Sequence, residues 1–305
     1  MLSPMTHDLI GRLKPFREEA LRRGVPPEDV ERWIAMARPS GTLTAHGTGP
    51  FVGRFGGPLM LPADVPAPAY PLLATLDCAA LPEKLTGVPL PVDGRLLLFG
   101  FPEMAYFSGN DSAGSVLYVP AGMPVEKRGS EFFPEHGDEE EVEVEVDEEI
   151  LDICEQYPQD ELRLSADISL PYHFIGPPPE PGLKIAEFPG HPRAWDLAQA
   201  WSDTCEDIIV DGALRIGGYA SHECTETDPI TAAAEEAILL RQQAARSGEP
   251  FDSEELPAPE NWVLLAQWDV DLQGREGATL HWVIPYQDLA ERRFDRVHVS
   301  FFWNP

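Results

Sequence analysis

No run of apolar residues in this chain approaches the ~20 needed to cross a bilayer, so no membrane span is expected. The opening stretch, MLSPMTHDLIGRLKPF, lacks a basic start followed by an apolar core, and no secretory signal is read there. Cysteine is sparse. Cys78, Cys154, Cys205 and Cys224 are the four among 305 residues, and no two form a CxxC pair. That usage fits reduced thiols in a cytoplasmic protein better than a disulfide framework. Positive charge is scarce as well: 22 Lys and Arg stand against 52 Asp and Glu, a formal net charge of -30. Such a balance excludes the basic surface that nucleic acid selects and disfavours anionic membranes. It is compatible with a basic protein partner, with metal cations, or with solubility alone. Also absent are GxGxxG, GxxxxGK[ST], HExxH and GxSxG, so no catalytic residue, cofactor or metal is assigned from motif.

What the sequence does have is a short, uninterrupted apolar run. In Asn261–Asp271, NWVLLAQWDVD, the residues Trp262 to Ala266 are all apolar, bounded by Asn261 and Gln267. This predicts a strand buried on both faces. An earlier stretch, PLLATLDCA at Pro71–Ala79, repeats the order. Phe55-Gly56-Gly57-Pro58 precedes the first copy and Ile216-Gly217-Gly218-Tyr219 the second; GRLLLF from Gly94 and GATLHWVI from Gly277 follow them. Three features in one order predict an internal duplication. Residues from about Thr225 to Glu260 are inserted in the second copy.

Taken in order, the chain opens with helical spacing over Thr6–Arg23, where Pro15 predicts a kink or a new start near Lys14, and again from Pro26 through Ala37. The many Gly and Pro residues of Pro39–Pro71 predict short strands joined by turns. Strands are expected at Leu72–Leu76, Arg95–Gly100, Ser115–Val119, Leu162–Phe174 and Arg296–Trp303. Helices are expected at Pro192–Ile208 and Asp228–Ala245, the latter capped by Asp228 with Pro229 in its first turn. The segment Glu131–Glu161 carries 15 acidic residues and no Lys or Arg, half the net charge. Within it Glu141 to Val146 alternates Glu and Val, which is compatible with a charged edge strand, an acidic loop, or a docking surface for a basic partner. The expected fold is α+β. Residues 1–45 form a helical N-terminal extension and 46–305 one body of duplicated sheet units. Within that body 46–130 is the first unit, 131–161 the acidic insertion and 162–305 the second unit with inserted helices.

Candidate ligand-binding residues are Asp77, Gln267, Asp269 and His222; candidate partner-binding residues are Glu139, Glu141, Glu143 and Glu145. Asp77 and Asp269 occupy matching places at the ends of the two repeated strands. They either line one cleft as a carboxylate pair or each cap a local turn. Ser221-His222-Glu223-Cys224 gathers potential metal ligands, against the plainer reading of a polar loop before a helix. Nothing in the spacing brings His46, His173, His191 or His281 to it. The pairs Gly56-Gly57 and Gly217-Gly218 are read as tight turns of positive φ rather than as an anion site.

GGPLMLP at Gly56, LLATLD and GRLLLFGF resemble the opening of the YwqG-like family, the domain of unknown function DUF1963. Ile216-Gly217-Gly218-Tyr219 with Asp228-Pro229, then VLLAQWDVD and GATLHWVI, resemble its later blocks. The resemblance runs from about Gly53 to Pro305, omitting the acidic stretch, and its closing block is the most specific part. Gln267 keeps a family glutamine that Thr75 replaces in the first strand. The resemblance implies an α+β fold with an internally repeated sheet and supplies no activity. The functional expectation is a non-catalytic cytoplasmic interaction module whose acidic surface takes a basic protein, immunity to a toxin being one concrete form. The alternative is an enzyme or a small-ligand or metal binder using a cleft between the repeats.

Overall fold

The computed structural model describes residues 9–82, 85–102, 112–128, 148–173, 193–223, 227–247 and 256–304. Its strands are β1 (Arg38–Thr44), β2 (Phe51–Phe55), β3 (Leu59–Leu61), β4 (Leu72–Asp77), β5 (Arg95–Gly100), β6 (Gly114–Val119), β7 (Glu126–Arg128), β8 (Glu161–Ser169), β9 (Leu214–Gly217), β10 (Trp262–Asp269), β11 (Thr279–Pro285) and β12 (His298–Phe302). Helices α1 (Lys14–Arg22), α2 (Pro27–Ile34), α3 (Glu148–Glu155), α4 (Ala194–Ser202), α5 (Pro229–Ser247) and α6 (Tyr286–Ala290) surround them. The architecture is therefore mixed helix and sheet. None of the described helices is long and apolar enough to cross a membrane.

Ten strands form one antiparallel sheet in the order β12-β11-β10-β9-β1-β8-β2-β4-β5-β6, and β3 and β7 pair separately. The sheet curls until its end strands meet. Ala113, just before β6, donates its N–H to the Val299 carbonyl at 2.8 Å, and the Val299 N–H donates to Ser112 Oγ at 3.0 Å. Across the interior, the indole N–H of Trp282 on β11 donates to the Phe99 carbonyl of β5 at 3.1 Å.

β10 is the strand the apolar run predicts, and it is covered on both sides. Leu265 and Trp268 belong to the main core, while Trp262 and Leu264 pack under α5 with Ala233 and Ala234. At the start of α5 the Thr231 N–H donates to Asp228 Oδ2 at 3.1 Å, satisfying one of the orphan donors of a helix start. The hairpins β4–β5 and β10–β11 share an irregularity: each carries a bulge, between Leu72 and Ala74 in one and between Leu264 and Ala266 in the other. The strands beside them also match. Arg54 lies opposite Thr75 and Phe55 opposite Ala74, as Arg215 lies opposite Gln267 and Ile216 opposite Ala266. Both strands run into glycine pairs of positive φ, at 56° and 90° for Gly56 and Gly57 and at 67° and 79° for Gly217 and Gly218, backbone that L side chains avoid.

A second apolar cluster joins α1, α2 and α4 to β8, with Phe16, Trp33 and Trp201 beside Ile168 and Leu170. The helix break at Pro15 falls where expected, with α1 starting at Lys14. Helical structure in the second segment ends at Ile34 rather than Ala37, because Arg38 already pairs with Ser169. Residues 38–44, inside the segment assigned to the N-terminal extension, form β1 at the middle of the sheet. Glu139, Glu141, Glu143 and Glu145 lie outside the described residues. After them comes α3, which ends the acidic segment's run toward β8.

Candidate functional site

The loop 218–223 follows β9. Its backbone is held by side chains from other strands. The Tyr219 N–H donates to Ser169 Oγ at 2.9 Å and the Ser221 N–H to Gln267 Oε1 at 2.9 Å. His173 Nε2 bonds the Ala220 carbonyl at 3.1 Å and His281 Nε2 the Ser221 carbonyl at 2.9 Å. Because a carbonyl only accepts, both histidines carry their proton on Nε2.

Gln267 is wholly buried on β10 and uses its amide fully. Its Nε2 donates to Asp269 Oδ1 at 2.7 Å and to Ser221 Oγ at 3.1 Å. From β9, the Arg215 guanidinium donates to Asp269 Oδ2 at 2.8 Å and to Ser221 Oγ at 2.9 Å. Arg215, Ser221, Gln267 and Asp269 thus form one closed polar network, assembled because Arg215 and Gln267 are register partners on neighbouring strands. The buried Gln267 has its oxygen and both amide protons engaged, as burial of a polar group requires, while Asp269 stays partly open to solvent.

Arg215, Ser221 and Asp269 of this network line a cavity of about 830 Å³, with Gln267 buried behind them. Strands β1, β8 and β9, the loop 218–223 and the 268–279 hairpin enclose it. At another wall Asp167, 1 % exposed, accepts from Thr42 Oγ1 at 2.9 Å, from the Val210 N–H at 2.8 Å and from the Ile168 N–H at 3.0 Å, and pairs with Arg12 at 3.2 Å. Arg12 also donates to the Ile208 carbonyl, so the helical N-terminal segment is tied to the floor of the cavity.

His222 sits at the edge of the site between other rings. Its centroid lies 3.9 Å from Phe302, stacked, 5.2 Å from His173 and 6.0 Å from His281. No spacing along the chain marks this convergence, since His173, His222 and His281 come from a loop after β8, a loop after β9 and β11. Burial, reinforced by His173 and then His281, lowers the His222 pKa to about 3. Burial is likewise the main cause that lowers His281 to about 4. Both are neutral near pH 7. Three histidines do not make a metal centre here: among the described residues no three His, Cys, Asp or Glu side chains are placed to hold an ion. Cys224 lies outside the described residues.

Of the four ligand-binding candidates, Asp269 and His222 line this cavity, and Gln267 lies behind its wall, bonded to Asp269 and Ser221. Asp77 does not join them. Its Oδ1 accepts from the Ala79 N–H at 3.0 Å and caps the short 3-10 turn Cys78–Ala80, the turn-capping role rather than a carboxylate pair with Asp269. Arg215, Ser221 and Thr279 also belong to the site. Only the strand register reveals the first, and nothing local in the sequence marks the last. Burial raises the pKa of Cys78 and of Cys154 to about 12, so neither supplies a thiolate.

A family model described as a domain of unknown function, DUF1963, matches residues 53–302. No curated protein matches the chain.

Proposed function

The chain belongs to the DUF1963 family, and from the site that its sheet builds we propose that it is a non-catalytic binding protein taking its ligand into the cavity beside β9, β10 and β11. One observation carries this reading: the polar wall of Arg215, Ser221 and Asp269 is already cross-linked, with the buried Gln267 behind it, before any ligand arrives. A wall locked this way is pre-organised for recognition, in a cavity sized for a small molecule or a side chain. The same bonding disfavours catalysis. The Ser221 hydroxyl accepts from Arg215 and Gln267, and His281 contacts the Ser221 carbonyl rather than its hydroxyl, so no base stands ready to activate it. Native mass spectrometry of protein purified gently from its own cells tests the reading. A stoichiometric small-molecule or peptide adduct lost in Gln267→Leu is the expected result. Stoichiometric labelling by electrophiles selective for activated serine or cysteine would overturn it.

A second reading concerns a basic protein partner. It is favoured by the concentration of half the net charge, without one Lys or Arg, in Glu131–Glu161. Partner retention that is insensitive to salt and to deletion of 131–147 would remove it. Free Cys78, Cys154 and Cys205 fit a reducing, cytoplasmic setting for either role.

The fold itself we read as an internal duplication with a helical N-terminal extension. Its support is the shared bulge of β4–β5 and β10–β11, the matching partners of Arg54 and Arg215, and the two glycine pairs. Only the second unit then carries the site, because Thr75 stands where Gln267 would be required.

A further inference from the structure

The sign of charge around the cavity narrows what it can hold. Among the described residues, six carboxylates line it against a single guanidinium, and no lysine. That guanidinium, Arg215, is committed to Asp269 and Ser221, and Arg12 offsets Asp167 from outside the lining, so the excess rests on Asp160, Asp211, Glu223 and Asp271. An anion entering would meet unbalanced negative charge at short range, whereas a cation would relieve it.

Charge alone would describe only an acidic surface. An independent feature marks a place within the cavity for a ligand: the Thr279 hydroxyl lines it, is buried with Thr279 only 6 % exposed, and has no hydrogen-bond partner. A buried hydroxyl left unsatisfied is costly, on the order of 1–3 kcal/mol, and such groups are few in native structures. Thr279 lies opposite Asp269 in the ladder of β10 and β11. Close by, the Glu223 carboxylate reaches to 2.7 Å of where a Cβ on Gly277 would stand, a space open only because that residue is glycine of φ 79°. His222, which also lines the cavity, has a buried Nδ1 without a partner. Asp269 and Glu223 are acceptors, the threonine hydroxyl can accept, and a neutral imidazole offers a ring nitrogen that accepts as well.

We propose that the cavity binds an organic cation, an amine of the polyamine class, with one ammonium group received by Thr279 Oγ1 and Glu223, with His222 Nδ1 beside it, and with the rest of its charge met by the other lining carboxylates, Asp269 among them. The proposal rests on the binding reading above and names its ligand class. An ammonium carries donors only, which matches a subsite made of acceptors. The charge is spread along the cavity rather than converging on one point, which fits an extended cation better than a bare metal ion.

Titration calorimetry on the intact protein at low salt tests this, with spermidine, a short lysine peptide, a dicarboxylate and a neutral polyol as probes. Spermidine is expected to bind, more weakly as salt rises. Thr279→Val and Glu223→Gln should each weaken it by about tenfold or more, the loss of one hydrogen bond to a charged group. Thr279→Val should not lower the thermal midpoint of the empty protein, because it removes an unpaired polar atom, so lost binding will not reflect lost folding. Binding of the lysine peptide alone, with the same sensitivity to both variants, keeps the ammonium and assigns it to a protein partner. Preference for the dicarboxylate or polyol, affinity unchanged in both variants, or no binding of either cation overturns the proposal. Native mass spectrometry separates the two levels: a neutral or anionic adduct retained from cells sinks the cation while sparing the binding reading, and no adduct with no probe bound sinks both.

Discussion

Gln267 shows how much one side chain can organise. Its carbonyl oxygen fixes the loop 218–223 and its amide fixes Asp269 and Ser221. Gln267→Leu keeps the volume and leaves the Ser221 N–H without its acceptor. The expected cost is about 2–3 kcal/mol, read from denaturant unfolding, the penalty for orphaning a buried donor within a bonded network. His281 sets a pH dependence. The unfolded chain takes a proton on this ring below its ordinary value of 6.5, but in the folded protein burial holds the pKa near 4. Between those values the unfolded state binds more protons, so stability falls as pH drops from about 6.5 toward 4 and is flat with respect to this group above. The shift corresponds to a loss on the order of 3 kcal/mol. His281→Gln, which keeps a donor for the Ser221 carbonyl, should reduce the slope of unfolding midpoint against pH and leave the part that His222, with its folded pKa of about 3, contributes by the same linkage. A curve unchanged in that variant would assign the acid sensitivity to other groups.

Among the elements, those with a strong local signal were legible in the sequence and those made by pairing were not. β4, β5 and β10 fall where apolar runs predict them, and α5 begins with its Asp228 cap and Pro229 as expected. β1 is the opposite case. Its sequence, RPSGTLT, contains proline and glycine, residues that weaken strands, yet it lies between β9 and β8 at the centre of the sheet. Tertiary packing explains the glycine: a Cβ on Gly41 would come within 2.9 Å of Leu164 and Leu85 and 3.0 Å of Ile216. Gly41→Ala should therefore destabilise by about 1–3 kcal/mol through overpacking, measured by thermal or denaturant unfolding. A neutral result would mean that those leucines can give way. The site was legible in proportion to its place on elements. Gln267 and Asp269 lie on the most recognisable strand, and the sequence alone marks them as candidates. Arg215 and Thr279 sit opposite them on partner strands, and their relevance exists only once register is known.

The whole molecule carries its charge excess as a standing strain. With 52 acidic residues against 22 basic ones, the folded chain concentrates like charge that the unfolded chain spreads out. Raising ionic strength from near zero to physiological values should raise the thermal midpoint, as screening relieves repulsion within a Debye length of about 8–10 Å. A midpoint that falls would show that attractive pairs, such as Arg12 with Asp167, outweigh the repulsion. The order of the sheet has a further consequence. β1 precedes the acidic segment, and both its neighbours, β8 and β9, follow it; β8 follows that segment, and both its neighbours, β1 and β2, precede it. A chain severed between β7 and α3 would yield two fragments, each holding a strand that has no place in its own remainder. Neither fragment should fold alone, while the pair should reassemble when mixed, which makes this protein a natural candidate for fragment complementation and binds the two halves of its gene to a common fate.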